Sequence, residues 1–415
     1  MSSFVQKEEN GMLNNETIHE VIRHFMTHHL IAGASLIVRK NGKPVYQISD
    51  GWADIERKIP IDTHTVLRLA SMTKPVIAIA VMMLTEEGRL SIDNPLSKYL
   101  PQFSHLKAAD HLIGSTEFYE ADPNHPAMPK VNPASLNDVT LVDACRPVTI
   151  RDMLSHSSGM GQGPLSMDRY EKEKFSAPTL PERMDLIASL PLDFQPGTNT
   201  GYSACVAYDV LGRIIELVSG MDLNRFIVEK ISKPLGCKDL AFVLPEERYK
   251  HMARLYEANP DGMRDVSDTE PFWQSVSALE SGYYSGSAGL LGTVADYDRI
   301  VQMLYHGGEY GDVRLLKKET VALMTREASA RHLEMCPGTV WGIGMAVAEA
   351  PEKTHRSVGK NTFGWSGAYG THFYIDPEND ITVTLGVNCS NIGGADSAFS
   401  KEIEKAVMQD FCKAV

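Results

Sequence analysis

The stretch LRLASMTKPVIAIAVMMLTEEG, residues 67–88, joins a Ser-x-x-Lys spacing to a long apolar run. Ser71 and Lys74 stand three positions apart, and Pro75 follows directly. Because proline has no N–H, it is tolerated in a helix only within the first turn, so we expect the helix to begin at about Ser71 or one residue later. Residues three apart share a helix face, and Lys74 can therefore reach the Ser71 hydroxyl at the positive end of the helix.

The run from Val76 to Leu84 is apolar on nearly every side, which predicts a helix buried in the middle of the fold. A lysine at the head of such a helix is removed from water, which favours its neutral form and lets it act as a base. The alternative is that Ser71 only caps the helix and Lys74 extends to solvent. A second match, Ser357 and Lys360, has no helical context, so the spacing alone does not decide.

Two β-hairpin patterns lie near opposite ends of the chain. Residues 32–54 read as two strands about an Asn41-Gly42 turn, and residues 371–388 repeat the pattern around their own turn residues. Helical patterns flank them at residues 16–29 and 397–413. We therefore expect one shared antiparallel sheet, covered by the terminal helices.

The middle of the chain is richer in helical patterns separated by proline and glycine. A chain of 415 residues also exceeds the roughly 250–300 residues at which one hydrophobic core stops growing. We predict an α/β sheet domain formed by residues 1–95 and 271–415, and a mainly helical insertion at 96–270.

The composition is that of an acidic globular protein, with a net charge of −13. Nucleic-acid binding needs clustered basic residues, so nucleic acid is not an expected partner. The six cysteines are scattered without a Cys-x-x-Cys pair, which is typical of reduced thiols in a cytoplasmic protein. We find no secretory signal pattern and no apolar stretch of about 18 residues, so no membrane association is expected.

Five further segments follow the SMTK motif of residues 71–74 in a characteristic order: RLSIDNPLSKYLPQF (89–103), VTIRDMLSHSSGM (148–160), FQPGTNTGYSACVAYDVLGRIIELVSG (194–220), SGSAGLLGTVADYDRI (285–300) and FGWSGAYGTHFYIDP (363–377). This order resembles the serine β-lactamase and penicillin-binding-protein superfamily, specifically the class C-like branch that includes the family VIII carboxylesterases and the lovastatin-type acyltransferases. The resemblance covers about residues 18–411. It implies a three-layer α/β/α domain, with an antiparallel sheet built from N- and C-terminal strands, plus a mostly helical inserted domain.

The resemblance also implies roles for particular residues. The family's nucleophile falls on Ser71, its paired lysine on Lys74, and the tyrosine of its Tyr-x-Asn motif on Tyr202. A tyrosine beside a lysine ammonium passes easily through the phenolate, so Tyr202 is the expected general base for Ser71 and proton donor to the leaving group. The implied oxyanion hole is formed by the backbone N–H groups of Ser71 and Ala368. No metal or cofactor is implied.

Two departures from the family pattern bear on the substrate. Trp365, Ser366 and Gly367 stand where the lactamases have Lys-Thr-Gly or His-Thr-Gly, and we expect them to contact substrate. Tryptophan in place of the cation removes an anchor for a substrate carboxylate and favours neutral acyl esters. Ala204 replaces the asparagine of Tyr-x-Asn, so the amide that would bind a substrate amide is missing. His156 is expected to be a hydrogen-bonded structural histidine rather than a base.

The resemblance thus implies a serine carboxylesterase that hydrolyses short- to medium-chain acyl esters through an acyl-enzyme on Ser71, with Lys74 and Tyr202 as general base and acid. A β-lactamase or D-Ala-D-Ala peptidase, or an acyltransferase, would use the same site. A non-catalytic scaffold is a further alternative, which the intact Ser71, Lys74 and Tyr202 disfavour. No Gly-x-Ser-x-Gly surrounds Ser71, which excludes the α/β-hydrolase elbow. The expected partner is a small-molecule ester, and the oligomeric state stays open.

Overall fold

The structure of the protein is a computed structural model that describes residues 16–111, 119–120, 130–131, 139–268 and 282–412. Its α-helices are α1 (Glu16–Thr27), α2 (Thr73–Glu86), α3 (Ile150–Leu154), α4 (Pro164–Glu173), α5 (Leu180–Ser189), α6 (Ala207–Ser219), α7 (Leu223–Ile227), α8 (Lys233–Leu235), α9 (Glu246–Tyr249), α10 (Val294–Tyr305), α11 (Lys318–Met324) and α12 (Ala398–Phe411). A π-helical turn, Val228–Ser232, joins α7 to α8. Short 3-10 turns occur at Ala70–Met72, Leu96–Lys98, Pro101–Ser104, Lys174–Ser176 and Pro351–Lys353.

The strands are short except at the two ends of the chain. They are β1 (Gly33–Lys40), β2 (Lys43–Asp54), β3 (Ile59–Pro60), β4 (Leu67–Arg68), β5 (Lys107–Ala109), β6 (Tyr119–Glu120), β7 (Lys130–Val131), β8 (Leu141–Asp143), β9 (Tyr256–Asn259), β10 (Gly262–Asp265), β11 (Leu291–Gly292), β12 (Glu309–Tyr310), β13 (Val313–Arg314), β14 (Glu334–Cys336), β15 (Thr339–Trp341), β16 (Ala346–Ala348), β17 (Thr362–Ser366), β18 (His372–Asp376) and β19 (Ile381–Val387).

One nine-stranded antiparallel sheet joins the two ends of the chain, in the order β14-β15-β16-β17-β18-β19-β1-β2-β3. The N-terminal β1 pairs with the C-terminal β19, so that Ala34 lies opposite Val387. Asn41 and Gly42 form the turn between β1 and β2 with φ angles of 51° and 73°, the left-handed conformation that a tight hairpin requires. The shared sheet expected from the two hairpin patterns is confirmed.

Helices cover both faces of this sheet. On one face, α1 and α12 pack against alternate residues of β1, including Leu36 and Val38, and the rings of Phe25 and Phe399 lie 4.7 Å apart. On the other face, α10 lies against β18 and β19, with the Tyr297 ring 5.3 Å from that of Phe373. This is the expected three-layer α/β/α arrangement. The described helices include none that combines the length and the apolar character needed to span a membrane.

The buried helix α2 lies between the sheet layer and the helical region formed by α3 to α9. Residues Val76 to Met82 are at most 2% exposed, as their apolar pattern predicts. The helix packs against α6 in one large hydrophobic cluster. The helical region also holds the short strands β5 to β8, and the domain boundary predicted at residues 270 and 271 lies outside the described residues.

Candidate active site

Ser71 lies in the 3-10 turn that leads directly into α2. The α-helix itself begins at Thr73, two residues beyond Ser71, because the chain first makes this tighter turn. Pro75 is the third residue of the helix, within the first turn where its missing N–H is tolerated. The N-cap residues of the two helical segments are Leu69 and Met72. Ser71 is therefore not a cap, and its hydroxyl is free for another partner.

Lys74 is 1% exposed and holds its ammonium inside the fold. Its Nζ donates to Ser71 Oγ at 3.2 Å, to the Ala204 carbonyl at 2.7 Å and to the Ser287 carbonyl at 2.8 Å. An ammonium has three N–H donors, whereas a neutral amine has two and needs a donor in return. The Ala204 and Ser287 carbonyls each accept one N–H, and the Ser71 hydroxyl, which can accept or donate, completes a set that accommodates the ammonium. The side chain does not extend to solvent.

Tyr202 lies in the loop ahead of α6 and approaches Lys74 from the helical region. Lys74 Nζ lies 4.9 Å from the centroid of the Tyr202 ring. Trp365 Nε1 donates to the Tyr202 hydroxyl oxygen at 3.3 Å. The Trp341 ring stacks on that of Tyr202, with 5.9 Å between centroids and 11° between planes. A cation near the ring and an N–H donor to its oxygen both stabilise negative charge that develops on that oxygen during a proton transfer.

The end of β17 is fixed against the turn that carries Ser71. A Cβ atom at Gly367 would lie 2.3 Å from the Leu69 carbonyl oxygen, so only glycine permits this approach. Thr371 Oγ1 donates to the same carbonyl at 3.1 Å. Ala70 next to it has a φ of 46°, a left-handed conformation that costs a non-glycine residue about 1 kcal/mol and must be held by its surroundings. Gly367, the residue before Ala368, is thereby held against the turn that carries Ser71.

Ser366 is the predicted site residue that the structure does not bring to this cluster. Side chains alternate along a strand, so Ser366 faces away from the side on which Trp365 meets Tyr202. Its hydroxyl lies 2.7 Å from His372 Nδ1, and His372 Nε2 lies 3.3 Å from Glu404 Oε1 on α12. The adjacent cavity has a volume of about 20 Å³, enough for one water molecule. This second serine–histidine–carboxylate chain is separate from the Ser71 cluster.

The buried Glu404 carboxylate is paired with Arg356, whose Nη2 lies 2.6 Å from Oε1. Burial alone would raise the pKa of Glu404, but the Arg356 guanidinium and His372 outweigh it and hold this pKa below its usual value. The pair fixes α12 behind β17, on the face of the sheet opposite the Ser71 cluster. It acts in the architecture of the sheet and does not touch the candidate site.

Two aromatic rings that sequence reasoning did not place in the site surround Tyr202. The His156 ring lies 5.0 Å from that of Tyr202, and the Trp341 ring lies 4.3 Å from that of His156. The sequence does single out His156 as a structural histidine, and its ring is buried with Nδ1 accepting from the Ser203 N–H at 3.1 Å. Burial, with the nearby Lys74 ammonium, lowers the pKa of His156 well below its usual value. Trp341 carries no motif that marks it.

Asp209 orders the loop that supplies one of the acceptors of Lys74. Its Oδ1 accepts from Ser285 Oγ at 2.8 Å and from the Ser287 N–H at 2.9 Å, and its other oxygen accepts from the Tyr283 hydroxyl. Complete burial raises the pKa of Asp209, partly offset by these donors. The loop held in this way directs the Ser287 carbonyl at Lys74.

A metal site is not part of this cluster. Among the residues that the structure describes, the one group of side chains able to share a metal ion is Glu327, His332 and Glu349, with ligand atoms within 4.8 Å of one another. His332 Nδ1 already lies 2.9 Å from Glu327 Oε2. The side chains around Ser71 offer instead a hydroxyl, an ammonium and a phenol in contact, a set suited to proton transfer and nucleophilic attack.

Comparison with known proteins finds related sequences and a related fold. A sequence model of the Beta-lactamase family matches residues 18–401. Protein Rv1367c of Mycobacterium tuberculosis (strain ATCC 25618 / H37Rv) is 30% identical over 370 residues, covering 85% of this chain and 84% of that protein. Esterase EstB of Burkholderia gladioli is 29% identical over 388 residues, covering 88% of this chain and 87% of the esterase.

A solved structure resembles the whole fold. The structure of EstCE1, described as a hydrolase with promiscuous acyltransferase activity, superimposes with a TM-score of 0.74 at 24% identity. The superposition covers 94% of this chain and 97% of EstCE1. At this level of identity the likeness concerns the fold alone.

Proposed function

From the premise that this chain belongs to the Beta-lactamase family and is a serine hydrolase, we propose that it is a carboxylesterase acting on short- to medium-chain acyl esters. One observation carries the proposal: the Lys74 ammonium lies between the Ser71 hydroxyl, at 3.2 Å, and the ring of Tyr202, at 4.9 Å. A buried cation in contact with both groups stabilises the negative charge that develops on either oxygen as the proton moves. That is the electrostatic requirement of a serine nucleophile with a tyrosine base.

In the proposed acylation step, Tyr202 accepts the Ser71 proton as Oγ attacks the ester carbonyl carbon. The carbonyl oxygen becomes an oxyanion that the N–H groups of Ser71 and Ala368 stabilise. The C–O bond to the alcohol then breaks, and the alcohol leaves with the proton held by Tyr202. Water repeats the sequence on the acyl-enzyme, giving the acid and restoring Ser71. Trp365 and the backbone of Gly367 would border the substrate.

The residues around the nucleophile support an ester substrate over a β-lactam or a D-Ala-D-Ala peptide. The indole of Trp365 is 7% exposed and directed at Tyr202, so it presents an apolar wall and no cation to a substrate carboxylate. Ala204 contributes only its carbonyl to Lys74 and has no side-chain amide. The relative EstB is named as an esterase, in agreement with this preference.

Steady-state hydrolysis of p-nitrophenyl acetate and butyrate tests the proposal. The substitution Ser71→Ala removes the nucleophile, and we expect a loss of activity of about 10⁴-fold or more. Ser357→Ala is the matched control, because Ser357 has the same Ser-x-x-Lys spacing with Lys360 but lies in an irregular segment. Full activity in Ser71→Ala, or equal losses in both variants, would overturn the assignment.

Two further measurements separate the alternatives that share this site. Nitrocefin and a D-amino-acid amide, run beside the ester panel, test lactamase and peptidase activity, and preferred turnover of either would replace the esterase proposal. Added alcohols or amines test acyl transfer through new ester or amide products. A fluorophosphonate probe that leaves Ser71 unlabelled would favour a non-catalytic scaffold.

The cellular setting is part of the same proposal. All six cysteines are free, which supports a cytoplasmic location, where thiols stay reduced. The proposed partner is a small-molecule ester, with neither nucleic acid nor membrane involved.

A further inference from the structure

His156 contacts the loop that carries Tyr202 on both sides of the tyrosine. We infer that His156 is a positioning residue, which sets the place of the Tyr202 hydroxyl by hydrogen-bonding the backbone before and after it. This inference rests on the proposed function, in which Tyr202 is the general base. It assigns to His156 a role in turnover that reaches the substrate only through Tyr202.

His156 makes hydrogen bonds on both sides of Tyr202, and we call this set of contacts the His156 clamp. The His156 carbonyl accepts from the Gly201 N–H at 3.1 Å and from Thr200 Oγ1 at 3.0 Å. Its imidazole Nδ1 accepts from the Ser203 N–H at 3.1 Å. The backbone on either side of Tyr202 is thus tied to a single residue, which sits at the end of the helical segment α3.

The Ser203 contact also determines which nitrogen of the His156 ring can carry a proton. A backbone N–H is always a donor, so Nδ1 must carry no proton, and any proton on the neutral imidazole lies on Nε2. An imidazolium would place N–H against N–H. Ser203 is 0% exposed, so no solvent replaces the acceptor if it is removed. The titratable groups facing the ring are the Lys74 ammonium, Tyr202 and Tyr208, and the Trp341 ring also packs on it.

The ring also limits where the Tyr202 side chain can go. The His156 ring packs 5.0 Å from the Tyr202 ring and 4.3 Å from the Trp341 ring, which itself stacks on Tyr202. Tyr202 is consequently held between Lys74, Trp365 and His156. A shift of the loop by about 1 Å would move the phenol from its hydrogen-bonding distance and cost on the order of 100-fold in rate.

The backbone at His156 suggests the variants for a test. Its φ of 52° is left-handed, a conformation that asparagine tolerates better than most residues. The Oδ1 atom of asparagine can take the place of Nδ1 as an acceptor, whereas the Oε1 atom of glutamine lies one bond further along the side chain. His156→Asn therefore preserves the clamp, and His156→Gln displaces its acceptor while keeping a neutral polar side chain.

The experiment measures kcat and KM for p-nitrophenyl butyrate in both variants, with amide hydrogen exchange of residues 200–203 as a readout independent of activity. We expect His156→Gln to lose about 100-fold in kcat with KM changed by less than about threefold, and His156→Asn to recover at least about tenfold of that loss. Exchange at Ser203 should be fast in His156→Gln and slow in His156→Asn. His29→Gln is the matched control, since His29 also has a positive φ, of 57°, but is exposed and lies far along the chain from this loop.

The outcomes are distinguishable from those of the proposed function. Equal kcat values in the Asn and Gln variants, or a Gln variant that exchanges fast at Ser203 yet turns over like the wild type, would overturn the positioning role. If the wild-type protein does not hydrolyse esters at all, the proposed function fails instead, and the exchange data still report whether His156 holds the loop.

Discussion

Replacing Lys74 with methionine removes the ammonium while keeping an unbranched side chain of similar length. Lys74 Nζ lies 3.2 Å from Ser71 Oγ. A unit charge at that distance from a developing alkoxide, at the effective dielectric constant of about 20 that suits protein sites, is worth about 5 kcal/mol. All of this interaction depends on charge that appears on the way to the transition state. We therefore expect kcat/KM to fall by roughly 10³- to 10⁴-fold.

The assay is steady-state hydrolysis of p-nitrophenyl butyrate, with urea unfolding to confirm that the variant is folded. Lys360→Met is the matched control, because Lys360 has the same spacing from a serine but is exposed, and we expect it to turn over like the wild type. Lys74→Met also leaves the Ala204 and Ser287 carbonyls without their donor, so some loss of stability accompanies the kinetic effect. A folded Lys74→Met enzyme within about tenfold of wild-type kcat/KM would refute the electrostatic argument.

Three further predictions concern stability and reactivity. His156 stays neutral in the fold because its pKa is lowered, whereas in the unfolded chain it binds a proton below about pH 6.5. The free energy of unfolding therefore decreases as pH falls through this value. Between pH 7 and pH 5.5, urea unfolding should show that this free energy decreases by about 1 kcal/mol more in the wild type than in His156→Asn. Glu404→Gln leaves the Arg356 charge buried without its partner and should lower the free energy of unfolding by about 3 kcal/mol, while the exposed Glu402→Gln changes it by less than about 0.5 kcal/mol. Cys145 is the exposed thiol and should react first with Ellman's reagent, and Cys145→Ser should remove this fast phase.

The parts of the fold that follow from local rules could be predicted from the sequence. The Asn41-Gly42 dipeptide specifies its turn because both residues accept positive φ, and the turn sets the register of β1 and β2. The run after Pro75 is apolar on all sides, and a helix with no polar face has to be buried in the middle of the protein. Proline limits the helix start to within a turn but does not reveal the 3-10 turn at Ala70–Met72, because both geometries satisfy its missing N–H.

Strand alternation explains why one predicted site residue lies elsewhere. Trp365 and Ser366 are neighbours in one motif, so the motif alone suggests a common role. In the structure β17 is a regular strand buried on both faces, and alternate side chains must point to opposite sides. Trp365 meets Tyr202, and Ser366 meets His372. Because side chains alternate along a strand, two neighbouring residues of one motif lie on opposite faces of the sheet.

The environment of Lys74 shows what no motif could supply. The sequence places Ser71 within reach, because that contact depends on helix spacing. The other two partners of Nζ are main-chain carbonyls from distant segments, 130 and 213 residues away along the chain. Every residue has a carbonyl, so Ala204 and Ser287 carry no signature of this role. What directs the Ser287 carbonyl is the buried carboxylate of Asp209, which in sequence is one acidic residue in the first turn of a helix. These acceptors hold the lysine side chain in place, and they are a property of the assembled fold that the Ser-x-x-Lys spacing only makes possible.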